Sequence, residues 1–189
     1  MDSTDLKVRG DHGWHEEKHG IRKACKTWRK LHIGLDPETG NIAALELTTE
    51  HVGDETAQPD LLTDVDADVS LFLADGAYDG QGAVDCLVDR FGPEIEIVIP
   101  PPKNAVHGEN AQRNRHIDVI AKHGRMNWQI ETGYNQRSQV EAQIGRWEQI
   151  ICDRPQARDF DNQIAKAQIV SRVLNRRTSL GPAEYKRAF

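Results

Sequence analysis

Two aspartates of this chain stand where the sequence predicts the beginning or the end of a β-strand. Asp2 opens the segment DSTDLKV, and Asp75 directly follows the continuous apolar run VSLFLA, residues 69–74. The carboxyl ends of strands line the functional crevice of an open α/β sheet, so Asp75 is placed where a ligand would bind. An aspartate after a strand also caps helices and closes turns very often, and Asp75 taken alone fits that structural role equally well.

Glu141 lies at the edge of the buried face of a predicted helix, roughly residues 135–151. Apolar residues recur along this segment at helical spacing: Val140, Ile144, Trp147 and Ile151. A carboxylate adjacent to such a stripe is costly unless a cation or a metal pairs with it. Taken alone, Glu141 is more readily explained as an ordinary glutamate at the boundary of the core.

Carboxylates gathered from separate elements have a defined chemical use. Mg²⁺ prefers oxygen ligands in octahedral geometry, and one or two protein carboxylates usually hold it together with substrate phosphate and water. Two such ions, about 3.5–4 Å apart, stabilise the attacking and the leaving oxygen of an in-line displacement at phosphorus. Asp2, Asp75 and Glu141 are chemically sufficient for this role, but their spacing alone does not select them among 30 acidic residues.

Two other motifs give weaker alternatives. The glycine-rich segment ADGAYDG, residues 74–80, lacks both the Lys-Ser/Thr of a P-loop and the G-x-G-x-x-G spacing, so it is a poor nucleotide-binding motif. His12, His15 and His19 with Cys25 are residue types that bind zinc, but their spacing matches no zinc-finger pattern.

The order of the predicted elements is typical of the α/β class. Strands are predicted at residues 2–8, 29–36 and 41–48, with a surface loop at 10–26 and a hairpin turn from Asp36 to Gly40. The remaining elements are a helix at 54–65, a strand at 69–74, a helix at 81–91, a strand at 95–101, and helices at roughly 113–123, 135–151 and 161–177. A mixed sheet between helices satisfies this order.

Charge is unevenly distributed along the chain. The net charge of −6 argues at first against a nucleic-acid partner, because phosphates are held chiefly by Lys and Arg. However, residues 36–102 carry 16 acidic residues and one basic residue, whereas residues 103–189 carry 15 basic and nine acidic residues. This segregation allows a basic groove beside an acidic surface.

Isolated cysteines and the lack of long apolar stretches indicate the compartment. Cys25, Cys86 and Cys152 form no pattern typical of a secreted disulfide scaffold. No apolar stretch approaches the roughly 20 residues that span a bilayer, and the first residues lack the apolar centre of a signal peptide. We therefore expect a cytoplasmic protein without a membrane partner.

Several segments, taken in order, resemble DDE transposases of the insertion-sequence-four/five-like superfamily, and within it the insertion-sequence-five-like group. These segments are DSTDLKV, WRKLHIGLD, ADGAYD, IPPPKNA and above all YNQRSQVEAQIGRWE. In that family the first Asp precedes the Ser-Thr of strand one and matches Asp2, and the second stands in a D-G-A-Y segment and matches Asp75. The Glu lies in a Tyr-x2-Arg-x3-Glu-x6-Lys motif, which matches Tyr134, Arg137 and Glu141.

The resemblance covers about residues 2–178 and implies a catalytic domain of that extent, followed by a tail at 179–189. It implies a ribonuclease H-like fold that brings Asp2, Asp75 and Glu141 together around two Mg²⁺ or Mn²⁺ ions. The implied activity is DNA strand cleavage and strand transfer. The implied partners are transposon ends, target DNA and a second copy in an active homodimer, and the implied location is a prokaryotic cytoplasm, associated with the nucleoid.

Basic and aromatic residues near the motif are candidates for holding DNA. Arg137 lies one helical turn before Glu141, so it either orients a phosphate or pairs with the glutamate. Tyr134 either contacts the DNA strand or packs in the core, and Lys103, Arg113 and Arg115 either follow the DNA backbone or are simply solvated.

This chain departs from the family pattern at two places. Glu148 stands where the motif has its final Lys, which is a reversal of charge at a position thought to contact DNA phosphate. The first Asp is residue 2, whereas the family carries a helical region that recognises DNA ends before strand one, so we expect an N-terminal part to be missing. These departures leave a second hypothesis open, an inactive transposase remnant that binds DNA or a partner without catalysis.

Overall fold

The computed structural model describes residues 1–8, 28–63, 65–151, 157 and 159–181. The predicted surface loop at 10–26, the zinc candidates His12, His15, His19 and Cys25, and most of the predicted tail lie outside the described residues.

The three strands predicted in the first 50 residues are present and form an antiparallel sheet. They are β1 (Asp2–Lys7), β2 (Trp28–Leu35) and β3 (Ile42–Thr49), in the spatial order β1-β2-β3. The hairpin turn between β2 and β3 is confirmed, because the Gly40 amide donates to the Asp36 carbonyl at 2.8 Å and the Asp36 amide to the Asn41 carbonyl at 2.9 Å. Gly40 has a φ of 72°, which is the left-handed region that glycine adopts without steric cost.

Two short parallel strands, β4 (Leu71–Leu73) and β5 (Glu96–Val98), form a second sheet. Both are shorter than the predicted strands at 69–74 and 95–101, and hydrogen bonding divides the predicted mixed sheet into an antiparallel and a parallel part. The two sheets meet where the Met1 nitrogen donates to the Leu73 carbonyl at 2.5 Å. This bond places the beginning of β1 beside the end of β4.

Six helices are described, of which five were predicted and one was not. The helices are α1 (Asp54–Thr63), α2 (Gln81–Phe91), α3 (Ala111–His123), α4 (Arg125–Glu131), α5 (Ser138–Ile151) and α6 (Phe160–Ser179). The sequence analysis missed α4, which starts directly after Gly124. That glycine, at φ 82°, ends α3 because its amide N–H donates a hydrogen bond to the Ile120 carbonyl, and the chain then turns into another helix.

Two 3-10 turns sit beside the elements that carry the candidate acidic residues. Gly76–Tyr78 follows β4, and Tyr134–Arg137 replaces the beginning of the helix predicted to start at 135. The last helix starts at Phe160 rather than Asp161, because the Asp159 side chain accepts a hydrogen bond from the Asn162 amide and caps it.

The two faces of the antiparallel sheet pack into two hydrophobic clusters. Leu31 and Ile33 are fully buried against α5 and α6, whereas Ala44 faces the cluster formed by α1, α2, β4 and β5. Burying one such aliphatic side chain contributes about 1.5–3 kcal/mol, so each helix layer is held chiefly by this apolar contact. None of the helices in the described ranges is long and apolar enough to cross a membrane.

Candidate active site

Arg137 joins the first and the last of the predicted acidic residues. Its Nη1 donates to Asp2 Oδ2 at 2.6 Å, and its Nη2 donates to Glu141 Oε1 at 2.5 Å. Asp2 and Arg137 are 135 positions apart in the sequence, so the fold brings these carboxylates to one guanidinium. The side chains of Asp2 and Arg137 are mostly buried, whereas that of Glu141 is 54% exposed.

Asp75 has the capping role that the sequence allowed, and its charge also acts on Arg137. Its Oδ1 accepts a hydrogen bond from the Ala77 amide at 2.9 Å and so caps the 3-10 turn after β4. Burial lowers the pKa of Arg137, but interactions with Asp2, Tyr134, Glu141 and Asp75 together raise it above its ordinary value. Asp75 therefore lies within electrostatic reach of the guanidinium that holds the other two carboxylates.

The packing of β1 against α5 determines which side chains of this motif meet. Asp2 and Thr4 lie on one face of β1, two residues apart, and Glu141 and Glu148 lie on one face of α5, seven residues apart. Asp2 is linked to Glu141 through Arg137, and Thr4 Oγ1 donates to Glu148 Oε1 at 2.9 Å. Glu148, the residue that departs from the motif, therefore points at the strand that carries Asp2.

Two aromatic side chains, those of Tyr134 and Trp128, connect Arg137 with the core. The Arg137 guanidinium carbon lies 5.8 Å from the centroid of the Tyr134 ring, and that ring lies 5.1 Å from the ring of Trp128, which is fully buried. Burial raises the pKa of Tyr134, and the charges of Asp75 and Asp2 act in the same direction against that of Arg137. Tyr134 therefore packs between the core and the charged site.

His116 fixes the orientation of Trp128. The indole Nε1 of Trp128 donates to His116 Nδ1 at 3.0 Å, and His116 Nε2 lies 2.9 Å from the Ile97 carbonyl. An indole N–H can only donate and a carbonyl can only accept, so His116 carries its proton on Nε2. This connects β5 with the aromatic residues behind Arg137.

The sequence matches a family model, described as transposase DDE domain, over residues 1–176. The chain belongs to this family. DDE transposase domains act in transposition, where they cleave and transfer DNA, so the family implies a DNA substrate. No solved structure matches the chain.

Transposase DDE domains typically use divalent metal ions, and the chemistry of the donor set here fits such an ion. Three carboxylates are the oxygen ligands that Mg²⁺ prefers, and two of them already face a shared positive charge. Within the described ranges, however, no three side chains of His, Cys, Asp or Glu stand close enough to share an ion. The guanidinium of Arg137 stands between Asp2 and Glu141 instead.

The other three basic residues predicted to contact DNA, besides Arg137, differ in whether their side chains are already paired. The Arg113 guanidinium makes two hydrogen bonds to Asp79, at 2.8 and 2.9 Å, and one to the Val106 carbonyl. A phosphate would have to displace Asp79 to reach it. Lys103 and Arg115 are exposed and have no ion-pair partner in the part of the chain that the structure describes.

Sequence reasoning missed a buried polar cluster formed by Asp54, Lys30, His32 and Thr48. Asp54, in the first turn of α1, accepts from Lys30 Nζ at 3.0 Å and lies 3.1 Å from Nδ1 of the fully buried His32. His32 Nε2 lies 3.0 Å from Thr48 Oγ1. The only signal in the sequence was a histidine between Leu31 and Ile33, on the face of β2 that alternation assigns to solvent.

The hydroxyl of Tyr78 lies between the polar cluster and the carboxylate site. It is buried and has no hydrogen-bond partner among the described residues. Burial is the largest cause that raises the pKa of this phenol, followed by the charges of Asp54, Asp75 and Asp2. Tyr78 therefore stays protonated, with its O–H group within electrostatic reach of three carboxylates.

Proposed function

We propose that residues 1–178 are the catalytic domain of an insertion-sequence DDE transposase, of the insertion-sequence-five-like group, with a ribonuclease H-like fold. An antiparallel three-stranded sheet whose first strand begins beside a parallel pair supports this fold, since the spatial order would be β3-β2-β1-β4-β5. In the proposed reaction the chain nicks DNA at a transposon end, and the freed 3′-hydroxyl then attacks target DNA. The proposed active form is a homodimer in a prokaryotic cytoplasm, associated with the nucleoid.

The observation that carries the proposal is the bridge from Asp2 through Arg137 to Glu141. It connects two predicted acidic residues from opposite ends of the chain, and the charge of Asp75 reaches the same guanidinium. Two acidic side chains from separate elements share the mostly buried guanidinium of Arg137, and a third lies within electrostatic reach of it. Such a concentration of carboxylates supports a site that handles positive charge.

Each side chain then has a defined task. Asp2, Asp75 and Glu141 would hold Mg²⁺ or Mn²⁺, which when bound supplies an activated water and offsets the negative charge that develops at phosphorus. Arg137 has to leave the two carboxylates for this to happen, and its guanidinium is then free to bind a DNA phosphate in a two-point geometry. Tyr134 keeps it beside the site, while Lys103 and Arg115 follow the DNA backbone.

Glu141→Gln tests this proposal in a nicking assay on supercoiled plasmid with Mg²⁺ or Mn²⁺. We expect the rate to fall roughly 100-fold, because the amide cannot supply the negative charge that holds a cation and the lost stabilisation of a developing charge is of that order. EDTA should abolish nicking by the unsubstituted chain. Glu94→Gln, at an exposed position outside the site, is the matched control and should nick at the original rate.

The alternative, a remnant that binds DNA without cleaving it, has one observation in its favour. Glu148 occupies the place of the motif's Lys and is held by Thr4, so the position that would donate to a phosphate carries a negative charge. A like charge facing a polyanion weakens binding, and removing it adds to affinity.

Glu148→Lys separates the two functions, with Glu148→Gln as its control. The glutamine can still accept the bond from Thr4 but carries no charge. We expect the lysine variant to bind a duplex several-fold more tightly and to steepen the dependence of log K on log salt concentration by about 0.9, the value for one added phosphate contact. Increased nicking would support the transposase, whereas binding without nicking in all three proteins would favour the remnant.

A further inference from the structure

The outward side of α6 carries a group of basic and apolar side chains that the candidate active site does not use. We call it the α6 face, and it consists of Ile169, Arg172, Val173, Arg176 and Arg177. The opposite side of the helix is packed into the core through Val170 and Leu174. Packing against the core explains the apolar residues on the inner side of α6, but it does not explain the basic and apolar residues of the α6 face.

The charge of the α6 face is opposite to that of the whole chain. The chain has a net charge of −6, yet no acidic residue follows Asp161 in α6. None of the guanidinium groups of Arg172, Arg176 and Arg177 has a carboxylate partner among the described residues. Arg172 and Arg176 stand four positions apart, where like charges on a helix repel each other. A bound polyanion would relieve that repulsion.

A more ordinary explanation accounts for part of this charge. Cations in the last turn of a helix interact favourably with its dipole, and this applies to Arg176 and Arg177. It does not apply to Arg172, which lies two turns from the end, nor to Ile169 and Val173, which are 59% and 45% exposed. The face therefore has features of a binding surface beyond what a helix terminus requires.

The α6 face lies toward the end of the sheet that carries Asp2. Asn175 exchanges two hydrogen bonds with the backbone of Ile42, at the start of β3, and Thr178 contacts Gly40 in the hairpin turn. The register pairs Asp2 with Ile33 and Leu35 with Ile42, so the end of α6 lies at the same end of the sheet as Asp2. Two strand spacings, about 10 Å, separate β3 from β1.

We infer that the α6 face binds the phosphate backbone of duplex DNA that flanks the cleavage site. Arg172 and Arg176 are separated by about 6 Å along the helix, a distance that matches neighbouring phosphates on one strand. The exposed apolar area amounts to a few side chains, well below the roughly 800 Å² per partner of a stable protein interface, so a second copy of the chain fits this face less well. The inference depends on the proposed function for one point only, namely that the bound DNA is the DNA that the chain cuts.

The test compares two triple variants in binding to a fluorescent 40-base-pair duplex, in EDTA, between 50 and 200 mM KCl. We expect the variant R172Q/R176Q/R177Q to bind at least 10-fold more weakly at 100 mM KCl, with a salt slope smaller by about 2 to 3. The variant R172K/R176K/R177K keeps the charge and should bind within about twofold of the unsubstituted chain. Glutamine and lysine have helix propensities close to that of arginine, and circular dichroism checks that the helix is kept.

Three outcomes would overturn the inference. They are equal binding by the glutamine variant and the unsubstituted chain, no binding by any of the proteins, and loss of self-association in sedimentation velocity while DNA binding is unchanged. The last outcome would assign the α6 face to a second copy. Because EDTA prevents cleavage, the binding result does not depend on the carboxylates, so failure of the nicking experiments and failure of this inference are seen separately.

Discussion

Asp75→Asn should reduce metal-dependent strand cleavage by roughly 10³-fold and leave the fold intact. Asp75 is more buried than Glu141, so its charge is screened less by water and its loss should cost more. Asparagine caps a helix about as well as aspartate, and its side-chain oxygen can still accept the bond from the Ala77 amide. The measurement is the nicking rate of supercoiled plasmid with Mg²⁺, together with the far-ultraviolet circular dichroism spectrum.

Asp85→Asn provides the matched control for this change. Asp85 lies on the exposed side of α2 and accepts a hydrogen bond from Gln81, so the same change of charge occurs away from the carboxylates. It should cleave at the original rate. Cleavage by Asp75→Asn at the rate of the unsubstituted chain would rule out the assignment of Asp75 to the site.

Asp54→Asn should lower the free energy of unfolding by about 3 kcal/mol. The carboxylate of Asp54 pairs with Lys30 and His32, its side chain is 11% exposed, and removing one partner of a buried pair leaves the other charge uncompensated. Urea unfolding at pH 7 measures the loss. Asp60→Asn, on the exposed side of the same helix, should change the free energy of unfolding by less than about 0.5 kcal/mol.

The effect of Asp54 on stability should also depend on pH in a known direction. Burial raises the pKa of Asp54, but contacts with His32, Ser3 and Lys30 outweigh it and hold this pKa well below its ordinary value. A carboxyl whose pKa is lowered by folding stabilises the native state above its unfolded pKa, about 3.9, and loses that contribution as the pH falls further. Stability of the unsubstituted chain should therefore fall more steeply below about pH 4 than that of Asp54→Asn. If the free energies of unfolding of the two proteins changed in parallel with pH, the lowered pKa of Asp54 would be contradicted.

The helices and strands were largely predictable because their signals are local. The hairpin turn from Asp36 to Gly40 was predicted and is formed. The helical spacing of Val140, Ile144 and Trp147 predicted buried residues, and those residues are buried. The lengths of β4 and β5 were overestimated, because the apolar runs continue past the strand ends into buried residues such as Ala74 and Ile99.

Contacts between distant segments were not predictable from the sequence alone. The pairing of Arg113 with Asp79 depends on where α3 crosses the turn after β4, and no spacing rule gives that crossing. The burial of His32 likewise depends on α1 covering the second face of the sheet. For the carboxylates, the family resemblance identified Asp2, Asp75 and Glu141. The sequence left open whether Arg137 orients a phosphate or pairs with Glu141, and it did not predict that the Arg137 guanidinium also binds Asp2.

The separation in sequence between Asp2 and Arg137 also bears on how the protein matures. A nascent chain cannot close that contact until Arg137 has left the ribosome, and contacts of such range form late because loop closure is costly. A partly synthesised or partly folded molecule therefore has strands and helices but no assembled carboxylate group. Under the proposed function, cleavage of DNA would begin only after this contact has closed, so that shorter nascent chains would be inactive.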